Sequence, residues 1–264
     1  MKDSKIGWTQ HTFNPWWGCQ KIAPECANCY ADAFAKRTGN TGLWGPDRAF
    51  RTFGDKHWNG PLKWNEAAKA AGERHRVFCA SMADVFDEQA PDELRERLVN
   101  LIDSTPHLDW LLLSKRLSNV PLSVTFPSNV WLGGTCGHSK SLPNLHALMR
   151  QTAALRFVSA EPLLEDLTEG PSPSEDFSRE DQFEGLDWVI IGGESGAGAR
   201  PFDLVWARSL IALCRDIGAA VFVKQLGARP VLNGVPLKLK DRKGEDWSEW
   251  PEDLRIREFP EVRR

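Results

Sequence analysis

The chain has 264 residues, 41% hydrophobic and 26% charged, the balance of an ordinary globular protein, and a single α/β barrel of about 250 residues would use nearly all of it. A formal net charge of -3 and a pI near 6.1 exclude a protein that coats nucleic acid through bulk electrostatics, while leaving room for a local basic patch. No apolar run is long enough to span a bilayer and Met1 to Gln10 is polar with a single Trp, so no membrane partner is expected and the cytoplasm is the expected compartment.

In chain order, Thr12-Phe13-Asn14 reads as a first strand that leads into Asn14-Pro15-Trp16-Trp17-Gly18-Cys19. Three cysteines, Cys19, Cys26 and Cys29, then fall within eleven residues. An odd trio cannot pair off as disulfides, and in a chain without a secretory signal it reads as a set of thiolate metal ligands. A structural zinc site normally closes with four ligands, and His11 or a distant Cys is the candidate for the fourth. A four-iron cluster held by three thiolates instead leaves one iron open for a non-protein ligand. The only tyrosine, Tyr30, follows Cys29 directly. Ala31 to Arg37 continues as a short helix, and Thr38 to Lys63, rich in Gly, Trp and Pro without a clear period, reads as a long ordered loop or lid.

Short apolar runs of buried-strand character follow at Val77 to Ser81, Trp110 to Leu113, Val130 to Leu132, Leu155 to Val158, Trp188 to Ile191 and Ala220 to Val223. Amphipathic helices are expected between them: Pro91 to Ile102, Leu142 to Ala154, and Asp203 to Ile217 with Asp203 as N-cap and Gly218 as the stop. This alternation predicts an α/β fold, a complete or partial (β/α) barrel spanning residues 1–227 with an acidic insertion at 164–185. Residues 228–264 turn polar, with Asn233-Gly234 as a hairpin turn, and are expected to pack on the barrel as an appendage.

Chemistry in a barrel gathers where the strands end. Those ends carry Ser81 and Asp84, Ser114-Lys115-Arg116, Thr135-Cys136, Glu161, Gly192-Gly193-Glu194-Ser195 and Lys224-Gln225. The run Gly192 to Gly198 also suits a phosphate cradle, with a tight turn as the plain alternative. Trp16, Trp17 and Trp44 are candidates to stack on a base or simply to exclude water. Cys79, Cys136 and Cys214 read as buried core residues, with Cys136 the candidate for a reactive thiol. A hydrolytic barrel using Glu161 and Glu194 lacks a defensible nucleophile–base spacing.

The loop from Gly18-Cys19 through Cys29-Tyr30-Ala31 resembles the cluster loop of radical S-adenosylmethionine (SAM) enzymes, and its Cys-Tyr-Ala ending is similar to that of spore photoproduct lyase. It departs from that pattern in having six residues between the first two cysteines, where three are usual, and in carrying Asn28 where an aromatic residue usually precedes the third. Nearly the whole chain is similar to a phage-associated three-cysteine-motif family, a variant of the radical SAM superfamily. Trp17-Gly18-Cys19, Phe157 to Pro162, Gly192 to Gly196 with Ala199-Arg200-Pro201, Lys224-Gln225, and Asp241 to Gly244 with Glu249-Trp250-Pro251 carry that likeness.

The resemblance implies a radical SAM-type barrel in which Cys19, Cys26 and Cys29 hold a 4Fe-4S cluster that binds SAM and cleaves it reductively to a 5′-deoxyadenosyl radical. It also implies an electron donor protein, a separately encoded partner protein, and a host cytoplasm if the chain is phage-encoded. On this reading Tyr30, Ser81, Asp84, Thr135, Glu161, Gly192, Gly193 and Glu194 surround the cofactor, carboxylates suiting the ammonium and ribose of SAM and glycines letting backbone approach it. Lys115, Arg116, Arg200 and Lys224 take an anionic substrate, a nucleobase or nucleotide in DNA or RNA. The rival expectation is a non-catalytic zinc-binding adaptor for nucleic acid or protein.

Overall fold

The computed structural model describes residues 4–169 and 181–262. Seven parallel strands form one curled sheet, a half-barrel: β1 (His11–Thr12), β2 (His75–Cys79), β3 (Leu108–Ser114), β4 (Val130–Thr135), β5 (Leu155–Ala160), β6 (Trp188–Gly192) and β8 (Ala220–Gln225), in that spatial order. Each apolar run expected from the sequence becomes one of these strands, shifted or extended by a few residues. Of the two alternatives, complete or partial barrel, the partial one forms, since β1 and β8 are opposite edges of the sheet.

The strands are apolar on both faces because each face packs a different layer. Val77, Trp110, Leu112, Leu132, Val158, Val189, Ile191 and Val221 point outward and join the large core under the helices α4 (Asp92–Asp103), α5 (Leu142–Met149) and α6 (Leu204–Asp216). The alternate residues Phe78, Leu111, Trp131, Phe157, Trp188, Ile190 and Phe222 point inward. Trp188 has no exposed surface and lies edge-on or tilted to Trp8, Trp131, Phe157, Phe222 and Phe259, with ring centroids 5.5 to 6.3 Å apart. Each such aromatic pair contributes about 0.5–1.5 kcal/mol beyond the area it buries. Gly133 in β4 exists for this floor: a Cβ there would come within 2.2 Å of the Phe157 ring.

The helix α6 begins where expected, with the Asp203 carboxylate accepting from the Val205 N–H at 3.0 Å, and Gly218 (φ 74°) ends it. The lid expected over 38–63 is only partly a loop. Its second half is the helices α2 (Asp55–Trp58) and α3 (Gly60–Ala71), because Pro61 is tolerated in a first turn and the Ala-rich run behind it propagates.

Beyond the main sheet, β9 (Pro230–Leu232) and β10 (Val235–Pro236) form a hairpin across Asn233-Gly234, both with positive φ, and pair with β7 (Phe202–Asp203). Residues 254–259 then cover the open edge of β8, with Val223 N–H donating to Ile256 O at 2.8 Å and Glu258 N–H to Val221 O at 2.8 Å. An exposed edge strand invites pairing with another chain, and this segment removes that template. Of the acidic stretch 164–185, residues 170–180 lie outside the described residues. Among the described residues no helix is long and apolar enough to cross a membrane.

Candidate functional site

All seven strands leave the sheet in one direction, and the cysteine loop lies across their C-terminal ends. Its entry is a backbone device. Gly18 sits at φ 137°, and a side chain there would meet Ala49 O and the Phe50 ring at 3.0 Å. The Gly18 N–H donates to Met82 O beyond β2 at 3.1 Å, and the Cys19 N–H to Leu43 O at 3.0 Å. Asn14 secures the same corner, its amide donating to Ser81 Oγ at 3.0 Å and accepting from the Met82 N–H at 2.8 Å.

Beyond that corner at the end of β2, three further strand ends fasten the loop. From β3, Arg116 donates to Gln20 O at 3.1 Å and lies 3.7 Å from Cys19 Sγ. At the end of β4, buried Glu25 accepts from the Gly137 N–H and Ser141 Oγ, both at 2.8 Å. After β6, Arg200 donates to Pro24 O at 2.9 Å. Asn28 donates to Glu194 at 2.9 Å and to Gly198 O at 2.7 Å.

Much of the expected ring of polar ligands is thereby engaged in holding the loop. Asp84 accepts from Ser114 Oγ (2.6 Å), the Phe86 N–H (3.1 Å), the Lys115 N–H (2.9 Å) and Arg116 (3.4 Å), so both its oxygens are occupied within the protein. Arg116 also lies 3.8 Å from Asp87, which Arg48 pairs from the other side. Glu194 takes three hydrogen bonds from Arg200 and one from Asn28. Burial raises its pKa, but the bonds from Arg200 and Asn28 outweigh that and hold the carboxyl below its usual range.

Gly193, expected to admit a ligand, is small for a packing reason: a Cβ would stand 2.3 Å from Leu226 O. Thr135 is buried, and its carbonyl accepts from Asn144 at 3.1 Å. Trp16 is fully buried and presents no face for stacking. Cys136, the candidate reactive thiol, is also fully buried, which corrects that expectation.

A smaller set remains toward the mouth. Glu161 and Lys224 form a pair at 2.6 Å, partly exposed, and the Glu161 side chain lies against Gly192, where a Cβ would stand 3.3 Å from its Cγ. Ser81 is half-buried, and its carbonyl accepts from the Tyr30 hydroxyl at 3.0 Å. Lys115, half-buried, has no ion-pair partner among the described residues. Sequence reasoning missed Glu25, Asn14 and Asn28. The only signal for Glu25 was a carboxylate between two proposed ligands.

Cys26 is buried and Cys19 and Cys29 half-buried. Burial above all, with help from the Asp84 carboxylate, pushes the Cys19 thiol up to about 11 against the pull of Arg116. Among the described residues no three His, Cys, Asp or Glu side chains are gathered around one point as a single-ion site. In kind, the donor set fits a cluster: three thiols from one loop, with a guanidinium beside the first. His11, the candidate for a zinc site's fourth ligand alongside a distant Cys, is hydrogen-bonded to His75 at 3.1 Å and stacked on Trp64 at 4.4 Å.

Fold and site together define a parallel half-barrel that carries a cysteine loop over its C-terminal mouth. The sequence matches the model of a family described as proteins of unknown function, DUF5131, over residues 3–251, and the chain belongs to that family. No curated protein matches the sequence. Among solved structures, a tyrosine-to-phenylalanine mutant of spore photoproduct lyase is similar with a TM-score of 0.53 at 12% identity, over 84% of this chain and 79% of that one. A cysteine-to-serine mutant of that lyase gives 0.45 at 13% identity over 72% and 57%. A double mutant with bound AdoMet and dinucleoside spore photoproduct gives 0.46 at 13% over 73% and 58%. The chain thus spans less than two thirds of the latter two. The first likeness shows the fold: a partial barrel of the radical SAM type.

Proposed function

We propose that this chain is an iron–sulfur enzyme, a three-cysteine variant of the radical SAM type, in which Cys19, Cys26 and Cys29 hold a 4Fe-4S cluster and SAM binds beside it. One observation carries the reading: a single loop bearing three thiols is fastened over the mouth of a half-barrel by four separate strand ends. When bound, the cluster and SAM supply reductive cleavage of SAM to a 5′-deoxyadenosyl radical.

The remaining work falls to the chain's own side chains. Glu161, paired with Lys224, is the carboxylate we assign to the ammonium or ribose of SAM, and Gly192 lets its side chain pack against the end of β6. Tyr30 and Ser81 border the same opening. Lys115 and Lys224 offer cations to an anionic substrate, while Arg116, Arg200, Asp84 and Glu194 keep the loop in place. The aromatic floor keeps water from reaching the mouth through the bore. The proposed substrate is a nucleobase or nucleotide in DNA or RNA. The proposal includes an electron donor protein, a separately encoded partner and a cytoplasmic setting.

The test is anaerobic purification followed by an absorbance spectrum with iron, sulfide and zinc counts, on the wild type and on the Cys19→Ala, Cys26→Ala, Cys29→Ala triple variant. The expected wild type is brown, with broad absorbance near ~400 nm and about four irons per chain, and the variant loses both. A colourless protein holding one tight zinc would overturn the reading in favour of a zinc adaptor.

A further inference from the structure

The helix α1 (Tyr30–Arg37) begins at the last cysteine and buries only one side. Ala31 and Ala35 face Met82, Trp17 and Trp44, while Tyr30 and Phe34 remain 59% and 37% exposed. Positions 30, 34 and 37 recur at four and three residues, so the two rings and the Arg37 guanidinium form one outward row about 10 Å long. The row continues sideways. Trp17 packs edge-on against Phe34 (5.9 Å) and Phe53 (5.9 Å), and Arg51 lies over the Trp17 ring at 4.5 Å. Arg37 lies over Phe34 at 5.5 Å.

Neither guanidinium has a carboxylate partner among the described residues, and Arg51 meets only the amide oxygen of Asn40 and the two rings. Exposed Arg208 and Arg215 are by contrast paired with Asp253 and Glu258, while Arg150, Arg229, Arg242 and Arg257, exposed at scattered positions, lack a carboxylate partner among the described residues. Arg37 and Arg51 differ in lying together on one run of rings. The local charge agrees. Residues 20–63 carry seven Lys and Arg against four Asp and Glu, in a chain whose net charge is -3. Glu25 and Asp32 are internal, and three of the cations are paired, Lys21 and Lys36 with Asp32 and buried Arg48 with Asp87, which leaves Arg37, Arg51, Lys56 and Lys63 against Asp47 and Asp55.

We propose that this surface, Tyr30, Phe34, Arg37, Trp17 and Arg51, binds a single-stranded nucleic acid, its phosphates on the two arginines and its unpaired bases on the exposed rings. Flat rings with unpaired guanidinium forks beside them are the chemistry that holds single strands, because every base offers a π-face and every phosphate suits a fork. A duplex hides its faces in the stack and leaves the rings without a partner. A small acidic protein would use the charge but not the rings. The row ends at Cys29, so a strand lying on it delivers a nucleotide to the mouth. The inference deepens the proposed function, and its substrate half rests on that reading.

The test is fluorescence anisotropy on the anaerobically purified full chain with a short oligo-dT, the same length as duplex, and polyglutamate, across a salt series from about 50 to 200 mM. Expected is salt-dependent preference for the single strand. Phe34→Ala should weaken binding by roughly 5- to 100-fold. Arg37→Gln and Arg51→Gln should each flatten the salt slope by about 0.7. Melting curves confirm that the variants fold. No binding, equal affinity for duplex or polyglutamate, or variants that bind like wild type would each overturn the assignment. Iron counted on the same samples separates the two ideas: strand binding without a cluster removes the radical chemistry alone, and a cluster without strand binding removes this surface alone.

Discussion

Replacing Glu25 by Ala tests directly whether the cysteine loop is held as described. The carboxylate is buried and accepts two hydrogen bonds at 2.8 Å, from the Gly137 N–H and Ser141 Oγ. Alanine leaves the Gly137 N–H without an acceptor, whereas the Ser141 hydroxyl can rotate toward another. A buried donor left unsatisfied costs about 1–3 kcal/mol, and losing a charge-assisted bond adds about 1.5 kcal/mol. Removing a buried charge gives part of this back. The net expectation is a loss of about 2–3 kcal/mol, or roughly 4–10 °C in melting temperature for a chain of this size.

Glu25→Gln keeps the acceptor for Gly137 and offers its amide N–H to Ser141, so it should cost about 1 kcal/mol or less. Thermal melts by circular dichroism, with bound iron counted on the same samples, check both variants. Only Ala should lower iron retention, because only it releases the loop between two of its thiols. A Glu25→Ala protein that melts within about 1 °C of wild type and keeps its iron would refute the anchoring argument.

Arg116→Met should be destabilising by about 1.5–3 kcal/mol in denaturant titration, since it removes the cation from buried Asp84, which keeps its bonds from Ser114, Phe86 and Lys115, while Asp87 keeps Arg48. Gly193→Ala should fold poorly or not at all, with a Cβ 2.3 Å from Leu226 O, whereas Gly192→Ala only nudges the Glu161 side chain and should fold with weakened SAM binding by calorimetry. Glu194 has a folded pKa below its unfolded value of about 4.3. The stability it contributes is therefore full above that pH and is lost as pH falls through the folded value. The stability gap between wild type and Glu194→Gln, followed by denaturant unfolding against pH, should be level above pH ~5 and narrow below ~4.3.

The strands of the half-barrel were readable because both faces of a covered parallel sheet are apolar, so each strand appears as an uninterrupted run such as Trp188 to Ile191. The Asp203 cap and the Asn233-Gly234 turn were readable because their physics is local. The helix α3 was not, because Pro61, Trp64 and the flanking glycines mimic a loop until Trp58 and Ala68 are packed into the core. The candidate site divides in the same way. Three thiols at one end of an α/β sheet follow from spacing and strand order alone.

Which polar groups face a ligand does not follow from spacing. Glu25 meets Gly137 across 112 residues, Asn28 meets Glu194 across 166 and Arg200 meets Pro24 across 176. Strand-end residues such as Arg116 and Glu161 look equivalent in sequence. Only the closed structure spends the first on the loop and leaves the second with Lys224 toward the mouth. Local sequence thus determined the elements and the thiol set, because periodicity and spacing are local. The tertiary structure decided which charges are anchors and which remain for chemistry, because pairing a buried charge depends on partners brought together only by folding.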